Sequence, residues 1–263
     1  MVVAPKRRVL PVLAWVVLLF LLLPCILVVP VSLTDTDYLA MPEQGLSLRW
    51  WHTLFASPEW MVALGQSLGI GLAATAIAVS AGTLCAIGCW RARNRWSALV
   101  RALILVPMIV PTVVYALGLF RVYAKVGLLD SFTGVILAHA ALALPYPVLT
   151  VGAALTNFDP RLEQAARNLG ASGWQVLRLV TLPNLKAGIL SGAIFAFVVS
   201  WDELVVVLFI AGRRVHTLPR QIWSGIRENL DPTIAAVATL LIAVTLLALI
   251  PVLRGSRTAP KEA

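Results

Sequence analysis

Two adjacent carboxylates, Asp202 and Glu203, have the clearest potential for chemistry in this sequence, because they stand inside a long apolar run. A charged residue at the centre of a bilayer costs about 2.5–3.5 kcal/mol, so an intramembrane pair is expected to serve a function. Trp201 precedes them and offers an aromatic face on which a cation can stack. The three residues predict a place where a cationic solute pauses. An ion pair with Arg213 or Arg214, or capping of helices, would also account for the carboxylates.

The other reactive side chains do not form a recognisable catalytic or metal site. His52, His139 and His216 are far apart and have no ligand spacing. Cys85 and Cys89 share one helix face, but no His or carboxylate stands near them, which favours a packing role. The glycine-rich phosphate loop G-x-x-x-x-G-K-[ST] is also absent. The sequence therefore predicts no catalytic residues, no metal site and no cofactor bound by this chain.

The elements that must position Asp202 and Glu203 are membrane-spanning helices. Of 263 residues, 60% are apolar and 13% are charged, roughly half the charged fraction of a soluble domain. Six apolar runs are long enough to cross about 30 Å of hydrocarbon as helices, and a bilayer offers the backbone no other partners. These runs are 9–33, 61–90, 98–120, 133–156, 187–211 and 232–253.

Proline and glycine within the runs indicate bent and closely packed helices. Interrupting prolines suit a bundle of kinked helices around a cavity. Gly65 and Gly69 would allow close helix contact, although a chance pair explains them equally well. Tyr115, on the third run, either lines the cavity or only packs. The interrupting prolines are Pro24, Pro107, Pro111, Pro145 and Pro147.

The net charge of +9 reads as a topology signal, because the basic residues cluster at the ends of the apolar runs and do not indicate nucleic acid. Two-thirds of the 21 Lys and Arg residues fall on one side of the predicted membrane. This places the termini, 1–8 and 254–263, and the loop 157–186 in the cytoplasm. The segments 34–60 and 212–231 then lie outside.

The loop 157–186 is predicted to be a stiff corner made of two short helices. Asp159 suits an N-cap and Pro160 a first helical residue, and Gly170 suits a left-handed helix end. Ser172 and Gln175 have the spacing of a capping box. Pro183 is expected to close the second helix. Such a corner either docks into a groove of another protein or is an ordinary structured loop.

The same loop resembles a motif of the inner-membrane permeases of binding-protein-dependent ABC importers. In that family Glu-Ala-Ala is followed after three residues by Gly, and after nine more by Ile-x-Leu-Pro. Gln164 replaces the first Glu here and Val180 replaces Ile, while Glu163 can supply the charge one position earlier. The remaining positions agree, namely Ala165, Ala166, Gly170, Leu182 and Pro183.

The resemblance implies an all-α integral membrane protein of six transmembrane helices, the type I importer architecture, with one permease domain over 9–253. The loop would then be the coupling helix that fits a cleft on an ATPase subunit. The implied partners are a second homologous permease, two ATP-binding cassette subunits that hold ATP and Mg, a periplasmic binding protein, and the lipid of the bacterial inner membrane. The implied coupling residues are Glu163, Gln164, Ala165, Ala166, Gly170, Ala171, Leu182 and Pro183.

Two further stretches, "SWDELVVVLFIAG" (200–212) and "TLPRQIWSGIRENLDPTIAAVATLL" (217–241), look like the second permease of spermidine/putrescine-type importers. This implies ATP-driven import of a small, cationic, polyamine-like solute by alternating access, without enzymatic activity in this chain. Relatives of that type also carry opines, amino acid derivatives, thiamine, iron or other ions. A stand-alone carrier and a membrane enzyme are the remaining alternatives. The expected pathway residues are Tyr115, Trp201, Asp202 and Glu203.

Both long outer segments carry features of a surface. Leu218, Ile222 and Ile226 form one apolar face, which predicts an amphipathic helix within 212–231. That helix would lie on the membrane surface or receive the binding protein. The acidic segment 34–60 contains three tryptophans that are expected to anchor in the membrane interface, namely Trp50, Trp51 and Trp60.

Overall fold

The computed structural model describes residues 9–43, 45–92, 94–228 and 230–256, and every regular element among them is helical. This confirms the all-helical fold class. The predicted N-terminal segment 1–8, and residues 257–263 of the predicted tail, lie outside the described residues. The helices are α1 Val9–Val31, α2 Arg49–Ala56, α3 Pro58–Ala92, α4 Arg95–Ile109, α5 Thr112–Val126, α6 Phe132–Ala143, α7 Pro145–Thr156, α8 Arg161–Asn168, α9 Gly173–Val176, a π-helical segment Leu177–Thr181, α10 Leu182–Asn184, α11 Lys186–Trp201, α12 Val205–Ile210, α13 Leu218–Glu228 and α14 Thr233–Ser256.

Three of the described helices are long and apolar enough to cross a membrane: Pro11–Val31 within α1, all of α3, and Phe132–Thr156, which joins α6 and α7. Two bent pairs would bring the number to five if each is one span. These pairs are α4 with α5, bent by 106°, and Gly173–Asn184 with α11, bent by 72°. The stretch Thr233–Ala248 of α14 is apolar but shorter. The described helices thus account for three to five spans, against the six predicted.

The third predicted run, 98–120, is not one helix. It breaks at Val110, where α4 ends in an extended conformation with φ −73° and ψ 129°, directly before Pro111. A proline ring disfavours helical backbone in the residue before it, which explains the position of the break. Pro107 remains inside α4.

The fifth predicted run, 187–211, is also divided. Helix α11 ends at Trp201 with Asp202 as its C-cap, and α12 begins at Val205. The expectation of continuous helix through the two carboxylates is therefore wrong, and both lie at a break between helices. Unsatisfied backbone groups at such a break need polar partners, which gives polar residues a structural reason to be here.

The described chain divides into two compact units, of which the first combines residues up to 61 with those from 222 onward. In this unit α14 packs against α1 and α2. The indole N–H of Trp50 donates to the Thr36 carbonyl at 3.2 Å, and that of Trp51 donates to Ser32 Oγ at 3.3 Å. Trp50 and Trp60 are buried. The prediction that these two rings anchor in the membrane interface is wrong, because neither leaves a face for lipid headgroups.

The second unit comprises residues 62–221, and its tightest helix contact joins α11 to α7. A Cβ on Gly188 would lie 2.8 Å from Ala154 Cβ, and one on Gly192 would lie 2.6 Å from Thr150 Oγ1. Glycine is thus required for this approach. A Cβ on Gly65 or on Gly69 would have no atom of another part of the described chain within 4 Å. The predicted close helix contact at these two glycines is therefore not present in the described chain.

Candidate functional site

The segment 157–186 forms the sharp corner that its capping residues predicted. Helix α8 begins at Arg161, one residue later than expected, and the Asp159 carboxylate accepts the Arg161 N–H at 2.9 Å. The helix ends before Gly170, whose φ of 86° is left-handed. Because such a backbone strains any residue with a Cβ, glycine fixes the direction in which the chain leaves α8.

The second part of the corner starts with the predicted capping box. Ser172 Oγ accepts the Gln175 N–H at 3.4 Å, and Gln175 Oε1 accepts the Ser172 N–H at 2.7 Å. Pro183 does not close this helix, because it lies in the first turn of α10, where a proline needs no N–H partner. The chain instead bends after Asn184.

Of the two acidic residues in the corner, Asp159 is exposed and Glu163 is buried. Its side chain is buried, with 8% of the residue exposed. Oε1 accepts hydrogen bonds from Arg91 Nη2 at 2.7 Å and from Thr181 Oγ1 at 2.6 Å. Burial raises the pKa of Glu163, but the bonds from Thr181 and Arg91, with the charges of Arg91 and Arg167, outweigh it and hold the pKa below its ordinary value.

The corner also carries exposed apolar side chains. Leu169 is 90% exposed, Leu179 is 68% exposed and Trp174 is 66% exposed. Gln164 and Ala165 are exposed beside them. The segment therefore exposes three large apolar side chains within the motif that the sequence singled out.

Three of the four predicted pathway residues, Trp201, Asp202 and Glu203, lie at the break between α11 and α12. Asp202 is exposed, and the half-buried Glu203 accepts the Val206 N–H on Oε1 at 2.9 Å. Glu203 therefore caps α12, one of the alternatives that the sequence left open. Within the described chain neither carboxylate forms a salt bridge with Arg213 or Arg214.

The two aromatic pathway residues make different contacts. The Trp201 ring stacks on Phe197, with centroids 5.6 Å apart and planes inclined by 28°. Tyr115 donates its hydroxyl to the Ala138 carbonyl at 3.0 Å and packs against the cluster that contains Val206. Tyr115 thus joins α5 to α6 next to α12.

A buried polar pair that the sequence analysis did not predict lies beside this break. His139 Nδ1 on α6 is 2.9 Å from Ser200 Oγ on α11, and both residues are buried. The bond fixes the end of α11 two residues before Asp202. Since the two partners are 61 residues apart, no local spacing could have revealed it.

Asp130 anchors the loop 211–217, a role that the sequence analysis missed. Its carboxylate accepts three successive backbone N–H groups, from Gly212 at 2.7 Å, Arg213 at 3.1 Å and Arg214 at 3.0 Å. The bonds from Arg213 and Gly212, with those from Arg214 and Val215, lower the pKa of Asp130 to about 2. The carboxylate therefore stays ionised at any physiological pH.

Helices α3 and α13 hold the same loop from other sides. Gln66 Oε1 accepts the His216 N–H at 2.7 Å, and Ser67 Oγ accepts the Leu218 N–H at 2.7 Å. Arg220 donates to the Ala211 and Val215 carbonyls at 3.2 and 3.1 Å. Hydrogen bonds therefore hold the loop 211–217 at several backbone positions, while the side chains of Arg213 and Arg214 remain exposed.

The predicted amphipathic helix is α13, Leu218–Glu228. Its expected apolar face is buried only at the start, because Leu218 is buried, Ile222 is half-buried and Ile226 is exposed. No group of three or more His, Cys, Asp or Glu side chains that could hold a metal occurs in the described part of the chain.

Known proteins resemble this chain over most of its length. Residues 78–256 match the family described as "Binding-protein-dependent transport system inner membrane component". The chain is 32% identical to the spermidine/putrescine transport system permease protein PotC of Haemophilus influenzae, over 88% of this chain and 90% of that protein. It is 30% identical to the putrescine transport system permease protein PotI of Escherichia coli, over 85% and 82%.

The fold is also found among solved structures. A bacterial ABC transporter involved in the import of the acidic polysaccharide alginate contains a chain that superimposes with a TM-score of 0.73. The match covers 97% of this chain and 99% of the other, at 13% sequence identity. At that identity the match concerns the fold alone.

Proposed function

We propose a transport function on the premise that this chain belongs to the family of binding-protein-dependent transport system inner membrane components. It is an inner-membrane permease of a binding-protein-dependent ABC importer, with relatives among the polyamine permeases. Members of this family are not themselves catalytic. The energy for transport therefore comes from a partner.

The proposed partner is a pair of ATP-binding cassette subunits, which hold ATP and Mg and dock on the segment 157–186. The exposed Leu169, Trp174 and Leu179 support this, because they belong to a segment that the buried Glu163 ties to Arg91 and Thr181 by hydrogen bonds. Such a segment would transmit force, because the contacts of Glu163 with Arg91 and Thr181 hold its helices together. This segment and both termini would then lie in the cytoplasm. The proposed coupling residues are Glu163, Gln164, Ala165, Ala166, Gly170, Ala171, Leu182 and Pro183.

The proposed solute is small, cationic and polyamine-like, and it crosses by alternating access between this chain and a second, homologous permease. Asp202 supports this assignment, because its carboxylate is exposed at a break between helices, where a passing cation would meet it. The names of the relatives point to the same class of solute. Trp201, Glu203 and Tyr115 would frame the site.

The outer surface would receive the solute-binding protein at the loop 211–217. This loop presents Arg213 and Arg214 on a rigid backbone. Rigid docking surfaces bind without the cost of ordering a mobile loop. An acidic face on the binding protein would complement these arginines.

The docking assignment is tested by replacing Gly170 with valine in the full chain. Because φ at Gly170 is 86°, a β-branched residue strains the corner, and we expect the ATPase subunits no longer to co-purify with the permease. Gly127 provides a matched control, since its φ of 73° is also left-handed but it ends α5. Normal co-purification with Gly170→Val, or equal loss with Gly127→Val, would contradict the assignment.

A further inference from the structure

Glu163 connects three separate elements of the chain through one oxygen atom. It belongs to α8, while Arg91 lies in the last turn of α3 and Thr181 ends the π-helical segment. The two donors reach the same Oε1, at 2.7 and 2.6 Å. These three residues, Arg91, Glu163 and Thr181, are called the brace below.

The burial of Glu163 separates it from the surface that a partner could touch. Only 8% of the residue is exposed, whereas Gln164, its neighbour on α8, is exposed. A carboxylate buried and ionised in this way is strongly destabilising if its donors are removed. Glu163 is thus committed to contacts within the chain.

The π-helical segment explains how Thr181 reaches this carboxylate. One extra residue per turn rotates the following side chains relative to an α-helix, and such segments frequently occur at functional sites. Thr181 Oγ1 lies 3.3 Å from the Val176 carbonyl, five residues earlier, and donates to Glu163 at the shorter distance of 2.6 Å. The π-helical turn therefore places the Thr181 hydroxyl where it can donate to Glu163.

We propose that Glu163 is a positioning residue that makes α8, the end of α3 and the π-helical segment move as one body. This rests on the proposed function, in which an ATPase subunit displaces α8. The brace delivers that displacement to α3, which has 35 residues and at about 1.5 Å per residue is roughly 50 Å long. The exposed residues around Gln164 receive the partner, and Glu163 passes the motion inward.

The brace can be tested without disturbing the exposed docking surface. Glu163→Gln removes the charge, and Thr181→Val removes the hydroxyl donor while keeping the shape of the side chain. Thr181→Ser keeps the hydroxyl donor and serves as the conservative variant. Glu59→Gln is a matched control, because it removes an exposed carboxylate in the first turn of α3. Each variant is made in the full chain with the cysteines at 25, 85 and 89 replaced by serine.

Two measurements follow in the complex purified with its ATPase subunits. The first is the distance distribution between spin labels on Ser80→Cys, in α3, and Arg161→Cys, in α8, both of which are exposed positions. We expect one narrow distribution in the parent chain, the Thr181→Ser variant and the Glu59→Gln control, and broad distributions in Glu163→Gln and Thr181→Val.

The second measurement is the number of spermidine molecules imported per ATP hydrolysed in liposomes. This ratio should fall about fivefold or more in Glu163→Gln and Thr181→Val.

Retention of the ATPase subunits by Glu163→Gln and Thr181→Val is part of the expected result. Narrow distributions in both variants, or an unchanged ratio of solute to ATP, would overturn the proposal. Loss of the ATPase subunits from Glu163→Gln alone would also overturn it, since it would make Glu163 a partner contact. If the parent chain binds no ATPase subunit, the proposed function fails, while the label distances in the permease still decide whether the brace exists.

Discussion

At the level of single residues, Asp202 and Glu203 are neighbours in sequence that differ in what they contact. Glu203 is held by the Val206 N–H, whereas Asp202 is exposed at the end of α11. A carboxylate that already caps a helix has less freedom to bind a solute. Of the two carboxylates, Asp202 is therefore the one that we propose for direct contact with a cationic solute.

Replacement of Asp202 by asparagine tests this distinction. We expect uptake of radiolabelled spermidine to fall on the order of tenfold, which corresponds to the loss of about 1.4 kcal/mol of interaction, while the assembled complex is recovered in normal amount. Glu59→Gln serves as the control for the loss of one exposed carboxylate. Uptake at the parental rate would remove Asp202 from the pathway.

Glu163 predicts a dependence of stability on pH. Its folded-state pKa lies below the ordinary value of 4.5, so the stabilisation is complete above that value and is lost as the pH falls through the folded-state pKa. We expect the detergent-solubilised parent chain to exceed Glu163→Gln in unfolding free energy by about 1–2 kcal/mol at pH 7. The variant loses a charged hydrogen bond in which Glu163 is buried and the Arg91 side chain is 35% exposed.

Thermal unfolding followed by tryptophan fluorescence measures this difference at each pH. The gap between the two chains should narrow as the buffer is acidified below the ordinary carboxyl pKa. A gap that stays constant, or that widens in acid, would show that the ionised form of Glu163 is not what stabilises the corner.

At the level of elements, local spacing predicted most of the helices and several of their ends. Ser172 and Gln175 form the capping box that their separation indicated, and Gly170 has the left-handed backbone that a helix end requires. These features depend on residues three to six positions apart. They can be predicted because the interacting residues are close together in the sequence.

The contacts that build the site were not predictable in this way. Arg91 is 72 residues from Glu163, and Asp130 is 82 residues from Gly212. Such partners meet only after the helices have packed, so the sequence showed the charges but not their pairing. The break at Asp202 was missed because the apolar residues on both sides of it were treated as one run, although the polarity of Asp202 and Glu203 was a usable signal.

The anchoring of the loop 211–217 by Asp130 gives a prediction for this element. Asp130→Asn weakens three charge-assisted bonds to backbone N–H groups, and such bonds are stronger than neutral ones. We expect hydrogen exchange at residues 212–214 to accelerate about tenfold, while exchange in α3 stays unchanged.

Asp159→Asn is the matched control for this experiment, because it also removes a carboxylate that accepts a backbone N–H. It should leave exchange at residues 212–214 unaffected. Equal protection of the loop in the parent chain and in Asp130→Asn would mean that Gln66, Ser67 and Arg220 hold it without the carboxylate.

At the level of the whole molecule, the distribution of positive charge predicts the orientation in the membrane. Two-thirds of the 21 basic residues stand on the side assigned to the cytoplasm. The proposed docking surface for the ATPase and the proposed surface for the binding protein must then face opposite compartments. The two assignments are consistent only if residues 161–184 and the loop 211–217 are separated by the membrane.

Single cysteines test this arrangement in a chain freed of Cys25, Cys85 and Cys89. Leu169→Cys, at a position that is 90% exposed, should react with a membrane-impermeant maleimide only in inside-out vesicles. Arg213→Cys should react only in right-side-out cells. Labelling of Leu169→Cys from the periplasm would overturn the orientation and with it the coupling assignment.

The way in which Asp130 holds its loop has a consequence for how such a protein can change. The bonds run to the main chain of residues 212–214, and every amino acid except proline supplies that donor. The arginine side chains at 213 and 214 can therefore be exchanged without altering the shape that presents them. Under the proposed docking, substitutions at positions 213 and 214 would fit the importer to a different solute-binding protein, and the backbone of the loop 211–217 would stay the same.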